Sequence, residues 1–162
     1  MSASPEDQKA LSLQIGREAR GVVEIAHRCE CGLPDVVKTR PRLEDGTPFP
    51  TMYYITCPRL AAKIGTLEAN NVMKDLESEL QASEELRTEY RKAHESYLQE
   101  RSALEDVAEI DGISAGGMPE RVKCLHALIA HSLAVGPGVN PIGDKALALL
   151  DQWGQHPCVG SS

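Results

Sequence analysis

Cys124, His126 and His131 lie on one short stretch of chain, just after a Gly116-Gly117 pair and beside Arg121 and Lys123. A thiolate and an imidazole are ligands for zinc, and they are equally a nucleophile and a proton carrier. The glycine pair allows a tight turn, and Pro119 suits a first helical position, so the spacing predicts a helix from Pro119 through the apolar run to Val135. Free N–H groups after Gly116 and Gly117, with Arg121 and Lys123 beside them, would form a cradle for a phosphate or carboxylate; Glu120 in the first turn works against it. On a regular helix, at about 100° per residue, Cys124, Leu128 and His131 share a face and His126 falls nearly opposite. His131 would also stand about 10 Å further along the axis than Cys124. One ion between Cys124 and His126 therefore requires an irregular helix start.

Three other thiols gather by topology. Val22 to Cys29 reads as a strand, Val36 to Arg40 as a second, and Met52 to Cys57 as a third. In a meander the first and third strands run the same way. Cys29, Cys31 in the following turn, and Cys57 then share one edge of the sheet. Pro58 starts a helix there, which favours a Cys57 thiolate. With Cys124 added, Cys29, Cys31 and Cys57 make a four-thiolate set suited to structural zinc, or to an iron–sulfur cluster. Against this, Cys-x-Cys with distant single cysteines is not the paired CxxC spacing of zinc sites, and free cysteines are commonly just buried.

The elements that position these groups follow from pattern. Ser4-Pro5-Glu6-Asp7 starts a short helix that Gly16 stops, loosely anchored at the front of the chain. Leu60, Ile64 and Leu67 mark a helix from Pro58 that breaks at Asn70-Asn71; Met73, Leu76 and Leu80 continue in another. Ser83 caps a long helix with Leu86, Tyr90, Ala93, Tyr97 and Leu104 on one stripe. Gly136 to Asp144 reads as a rigid turn, Lys145 to Trp153 as a last helix, and 155–162 as a weakly ordered tail. The fold class is α+β, a single domain with a small three-stranded antiparallel sheet packed against a mainly helical remainder.

The chain has 162 residues, 17 basic and 24 acidic, for a net charge of −7. That balance argues against nucleic acid as a partner. No apolar run is long enough for membrane insertion and no leader is recognisable, so the chain reads as cytoplasmic, where thiols stay reduced. Residues 58–110 carry 12 acidic and 7 basic side chains. Glu84, Glu85, Glu89 and Glu95 lie off the apolar stripe, which offers a basic protein partner a docking face on the helix over 84–95.

The stretches Arg28–Val37, Thr47–Leu60, Ser114–His126 and Gly138–Asp144, with the Tyr90-to-Tyr97 helix, resemble an actinobacteria-rich bacterial family catalogued as domain of unknown function 501. The resemblance runs from about Gly16 to Leu150 and implies no established activity or catalytic residue. Family members are often encoded beside enolase, a septum-formation initiator and an exopolyphosphatase, an association pointing towards cell division or phosphate metabolism. Cys29, Cys57, Cys124 and His126 lie in the shared motifs; Cys158 does not, and is left out of the site. Three functions follow as expectations: metal binding through clustered cysteines, catalysis by a Cys124 thiolate with an anion-binding helix start, or a non-catalytic adaptor with an acidic face.

Overall fold

The structure is a computed structural model that describes residues 2–155 and 158–159. Its sheet is the expected meander: β1 (Val22–Arg28), β2 (Pro34–Thr39) and β3 (Tyr53–Ile55) pair in the order β1-β2-β3, antiparallel throughout. β2 begins at Pro34, two residues earlier than the sequence suggests, and is buried along most of its length because helices cover it. β3 is shorter than expected, since Met52 faces the core just outside the ladder and Cys57 already belongs to the next helix.

Helix α1 (Pro5–Ile15) has the capping box that its sequence announces, Ser4 and Asp7 bonding each other's main chain, and it ends at Gly16 with φ 74°. It is well anchored. Leu11 packs on Ile25 and Val37, Arg28 grips Asp7 through two hydrogen bonds of 2.9 and 2.8 Å, and Gln14 donates to the Pro34 carbonyl at 2.7 Å.

The remaining helices are α2 (Pro58–Ala69), α3 (Val72–Ala82), α4 (Glu84–Leu104), α5 (Leu125–Val135) and α6 (Pro141–Leu147). The α2–α3 break falls at the asparagines, where Asn71 sits in the left-handed region at φ 64°. Ser83 caps α4 by accepting the Leu86 N–H at 3.1 Å. The buried stripe of α4, Tyr90, Ala93 and Tyr97, fills the centre of the molecule. Its polar ends are used as well: the Tyr97 hydroxyl accepts the Met52 N–H, and Arg101, 5% exposed, donates to the carbonyls of Pro50 at 2.7 Å and Ile110 at 2.9 Å. The segment leading into β3 and the one ending at Ile110 are thereby tied to one helix.

Two helix starts depart from expectation. α5 begins at Leu125 rather than Pro119, because residues 115–124 form a chain of turns in which Arg121 and Lys123 donate main-chain bonds back to the carbonyls of Gly117 and Gly116, each at 2.8 Å. α6 begins at Pro141 rather than Lys145: proline takes the first position and the Asn140 side chain accepts the Gly143 N–H at 2.9 Å. The tail expectation over 155–162 falls partly outside the described residues; within them, Cys158 is buried. Among the described residues no helix is long and apolar enough to cross a membrane.

Candidate functional site

The late start of α5 changes the geometry of its chemistry. Cys124 is the N-cap, in extended backbone at φ −149° and ψ 107°, so its side chain does not follow the helical rotation that separates it from His126. The irregular start that a Cys124–His126 pair requires is present. The ligand atoms of Glu68, Cys124 and His126 all lie within 4.8 Å of one another. Glu68 comes from the last turn of α2, and none of the three is fully buried.

Hydrogen bonds fix the roles of the atoms. Glu68 Oε2 accepts the Leu125 N–H at 2.9 Å, filling one of the open donors at the start of α5. The other oxygen, Oε1, is 3.2 Å from His126 Nδ1. His126 Nε2 is 3.1 Å from the Ala61 carbonyl oxygen, which can only accept, so Nε2 carries a proton. In the neutral ring the Nδ1 lone pair would then face a carboxylate oxygen. A cation, either a proton or a metal ion, belongs between them. Its hydrogen bond with Cys124, reinforced by the Glu68 charge, raises the His126 pKa to about 9, and the same bond draws the Cys124 thiol down.

The anion cradle is built and already filled. Val122 N–H donates to Glu77 Oε1 at 3.0 Å, and the Arg121 guanidinium pairs with the same carboxylate. Gly116 and Gly117 have positive φ, and a Cβ on Gly117 would lie 2.8 Å from the Arg121 carbonyl oxygen, so their role is to fold the turn tightly. Lys123 is exposed. The acid held at this turn comes from α3, not from solution.

His131 belongs to the core. It is fully buried, stacked on Tyr53 with centroids 5.9 Å apart and edge-on to Tyr97 at 5.0 Å. Asn140 Oδ1 accepts from Gly143, so its Nδ2 is the group donating to His131 Nδ1 at 3.1 Å, and the ring proton is on Nε2. Burial lowers the His131 pKa to about 4. A neutral ring sealed in this way does not exchange protons with a substrate.

The thiols sort into two places. Cys29, Cys31 and Cys57 lie at the sheet edge, where the Cys31 N–H is 3.4 Å from Cys29 Sγ and Cys158 acts on the titration of both Cys31 and Cys57. Cys124 is not with them: it meets Glu68 at the far end of α2 from Cys57, and eleven helical steps separate those ends by about 16 Å. Cys158, buried, comes near this edge instead, its sulfur 3.1 Å from Gln14 Nε2. Cys57 does cap α2, accepting the Leu60 N–H at 3.5 Å, but complete burial overrides the helix start and pushes its thiol up to about 12. Burial likewise puts Cys29 at about 11. For Cys31, burial raises the pKa, but the Leu33 N–H and the neighbouring thiols outweigh it and the net shift is downward.

Sequence reasoning missed Glu68 and Cys158. Glu68 looks like one more acid on a charged helix face, and only the contact of α2 with the start of α5 singles it out. On α4, Glu84, Glu85 and Glu95 are exposed, while Glu89 pairs with Lys92 at 3.4 Å.

No curated protein and no solved structure matches the chain. A family model described as a protein of unknown function, DUF501, matches residues 25–148, a span that takes in most of the sheet and all of Glu68, Cys124 and His126, and the protein belongs to that family.

Proposed function

We propose that the protein binds a transition-metal ion of the zinc class through Cys124, His126 and Glu68. One observation carries this: His126 Nδ1 and a Glu68 carboxylate oxygen converge at 3.2 Å, with the Cys124 sulfur in the same 4.8 Å sphere. Thiolate, imidazole and carboxylate are all zinc ligands, and the Nε2–H to Ala61 bond is the outer-sphere contact that orients a ligating histidine. Three protein ligands leave a fourth position open on a tetrahedral ion, and the partial exposure of all three residues gives it access to solvent. Such a centre polarises a bound water or a substrate oxygen.

Zinc competition against a fluorescent chelator tests this, run in a Cys31→Ser, Cys158→Ser background so that only this site is read. One equivalent should bind, and Cys124→Ser or His126→Ala should weaken it by roughly 100-fold or more. Equal affinity in those variants overturns the reading.

A second reading has its own support. The Cys124 thiol, drawn down by its hydrogen bond with His126, lies beside an imidazole raised to about 9, the pairing that activates a cysteine nucleophile. With Arg121 committed to Glu77, its substrate would draw little from the proposed anion contacts. Alkylation of Cys124 by iodoacetamide at neutral pH, accelerated in the metal-free protein and slowed by His126→Ala, favours it; an inert Cys124 removes it.

A further inference from the structure

His27 of β1 and Asp35 of β2 take no part in the Glu68–Cys124–His126 site, yet they form a pair of their own. The β1–β2 register slips on both sides of His27, between Ile25 and His27 and again between His27 and Arg28. Irregularities of this kind re-aim a side chain away from the regular pleat. His27 Nδ1 meets Asp35 Oδ1 at 2.7 Å, and the other carboxylate oxygen accepts the Trp153 indole N–H at 3.3 Å. The Asp35 side chain is 0% exposed and that of His27 is 35% exposed. A carboxylate sealed inside a sheet is costly unless it is paired, and the imidazole is its partner. With Nδ1 tied to Asp35, Nε2 on the far edge of the ring meets no partner among the described residues. The bond to Asp35 also raises the His27 pKa, which favours the imidazolium and so a donor at Nε2.

The ring lines a cavity of about 350 Å³ together with Cys29, Leu133, Gln152 and Trp153. Leu133 of α5 and the Trp153 indole supply apolar walls, and the indole is fixed in place by its bond to Asp35. A Cβ on Gly154 would lie 3.0 Å from Cys29 Sγ and 2.8 Å from Glu30 Cβ, so the segment after Trp153 sits hard against the end of β1. Of the other charged groups in the lining, Arg28 is gripped by Asp7 and Glu30 is exposed to solvent. A small, largely apolar space with one fixed, charge-assisted donor suits an organic acid with a flat body.

We propose that this cavity binds a small aromatic carboxylate, its acid group on His27 Nε2 and its ring against Trp153 and Leu133. Asp35 is then a positioning residue: it orients the imidazole and balances its charge without touching the ligand. A phosphate would need more donors than one imidazole supplies, and a neutral ligand would gain nothing from the charge on the ring.

Trp153 is the single tryptophan of the chain, so its fluorescence reports on this cavity. Benzoate and phenylacetate are titrated into the full chain, with benzamide and phenylacetamide as their uncharged counterparts, and calorimetry repeats each titration. At least one acid should change the emission saturably in the millimolar range or below, and bind roughly 10-fold or more tighter than its amide. His27→Gln should abolish that preference. Leu133→Phe, which narrows the cavity and leaves the His27–Asp35 pair intact, should weaken binding of the acid, and circular dichroism verifies that both variants fold. Cys124→Ser should leave binding unchanged, which separates this cavity from the Glu68 site. No saturable response to either acid, equal affinity for acid and amide, or an acid preference that survives His27→Gln overturns the proposal.

Discussion

At the scale of single residues, environment decides what each titratable group does. Cys57 and Cys124 are both helix N-caps, yet Cys57 is held protonated by burial while Cys124 is drawn down by the histidine two residues on. His131 shows the same competition. Its folded pKa is about 4, below the value of 6.5 for an open chain, so between those values the unfolded state binds more protons. Its contribution is fully present above pH 6.5 and is lost as pH falls towards 4, a change on the order of 3 kcal/mol. His27, raised by Asp35 2.7 Å away, acts with the opposite sign: its contribution is present below pH 6.5 and lost as pH rises through its folded pKa. The His131 component is isolated by comparison with His131→Leu. That variant should be less stable at neutral pH, and its denaturant midpoint should fall less steeply between pH 6.5 and 4 than that of the wild type.

At the scale of elements, two glycines separate packing from propensity. A Cβ on Gly143 in α6 would sit 2.3 Å from the Leu128 carbonyl oxygen of α5, and backbone cannot swing away as a side-chain tip can. Gly143→Ala should cost about 1–3 kcal/mol in chemical denaturation. Gly65, inside α2, meets nothing within 4 Å, so Gly65→Ala should stabilise by roughly 0.5–1 kcal/mol. The elements themselves were largely legible. Period-two alternation, Ser4, Ser83, Pro58 and the Asn70-Asn71 break located the meander and four of the helices, because those signals are local. What local pattern could not settle was the start of α5. Residues 119–124 carry a helix-start signature, but they are held in turns by Gly116, Gly117 and the Glu77 carboxylate of another helix. From that one error followed the opposite-face placement of Cys124 and His126. Glu68 and Cys158 were invisible for a similar reason: each acquires its role only from a neighbour distant in sequence.

At the scale of the whole molecule, both ends of the chain close on the same edge of the sheet. α1 is held there by the Asp7–Arg28 pair, whose guanidinium holds the Asp7 carboxyl down at about 2. A depressed carboxylate contributes stability that is present above its unfolded value of 3.8 and disappears as pH falls through 2. Asp7→Asn should therefore lower stability by about 1–2 kcal/mol at pH 6, after allowance for solvent screening, and match the wild type near pH 2. Thermal denaturation at the two pH values reads the difference directly.

Gln14 touches Cys158 across 144 positions of sequence. That separation sets an order in time during synthesis. A ribosome delivering roughly 5–20 residues per second releases Cys158 about 5–20 s after Cys57. Throughout that interval the nascent sheet edge presents Cys29, Cys31 and Cys57 without their fourth neighbour. A chain cut short after α6 but before residue 158 keeps the sheet, Glu68, Cys124 and His126 and loses the Gln14–Cys158 contact.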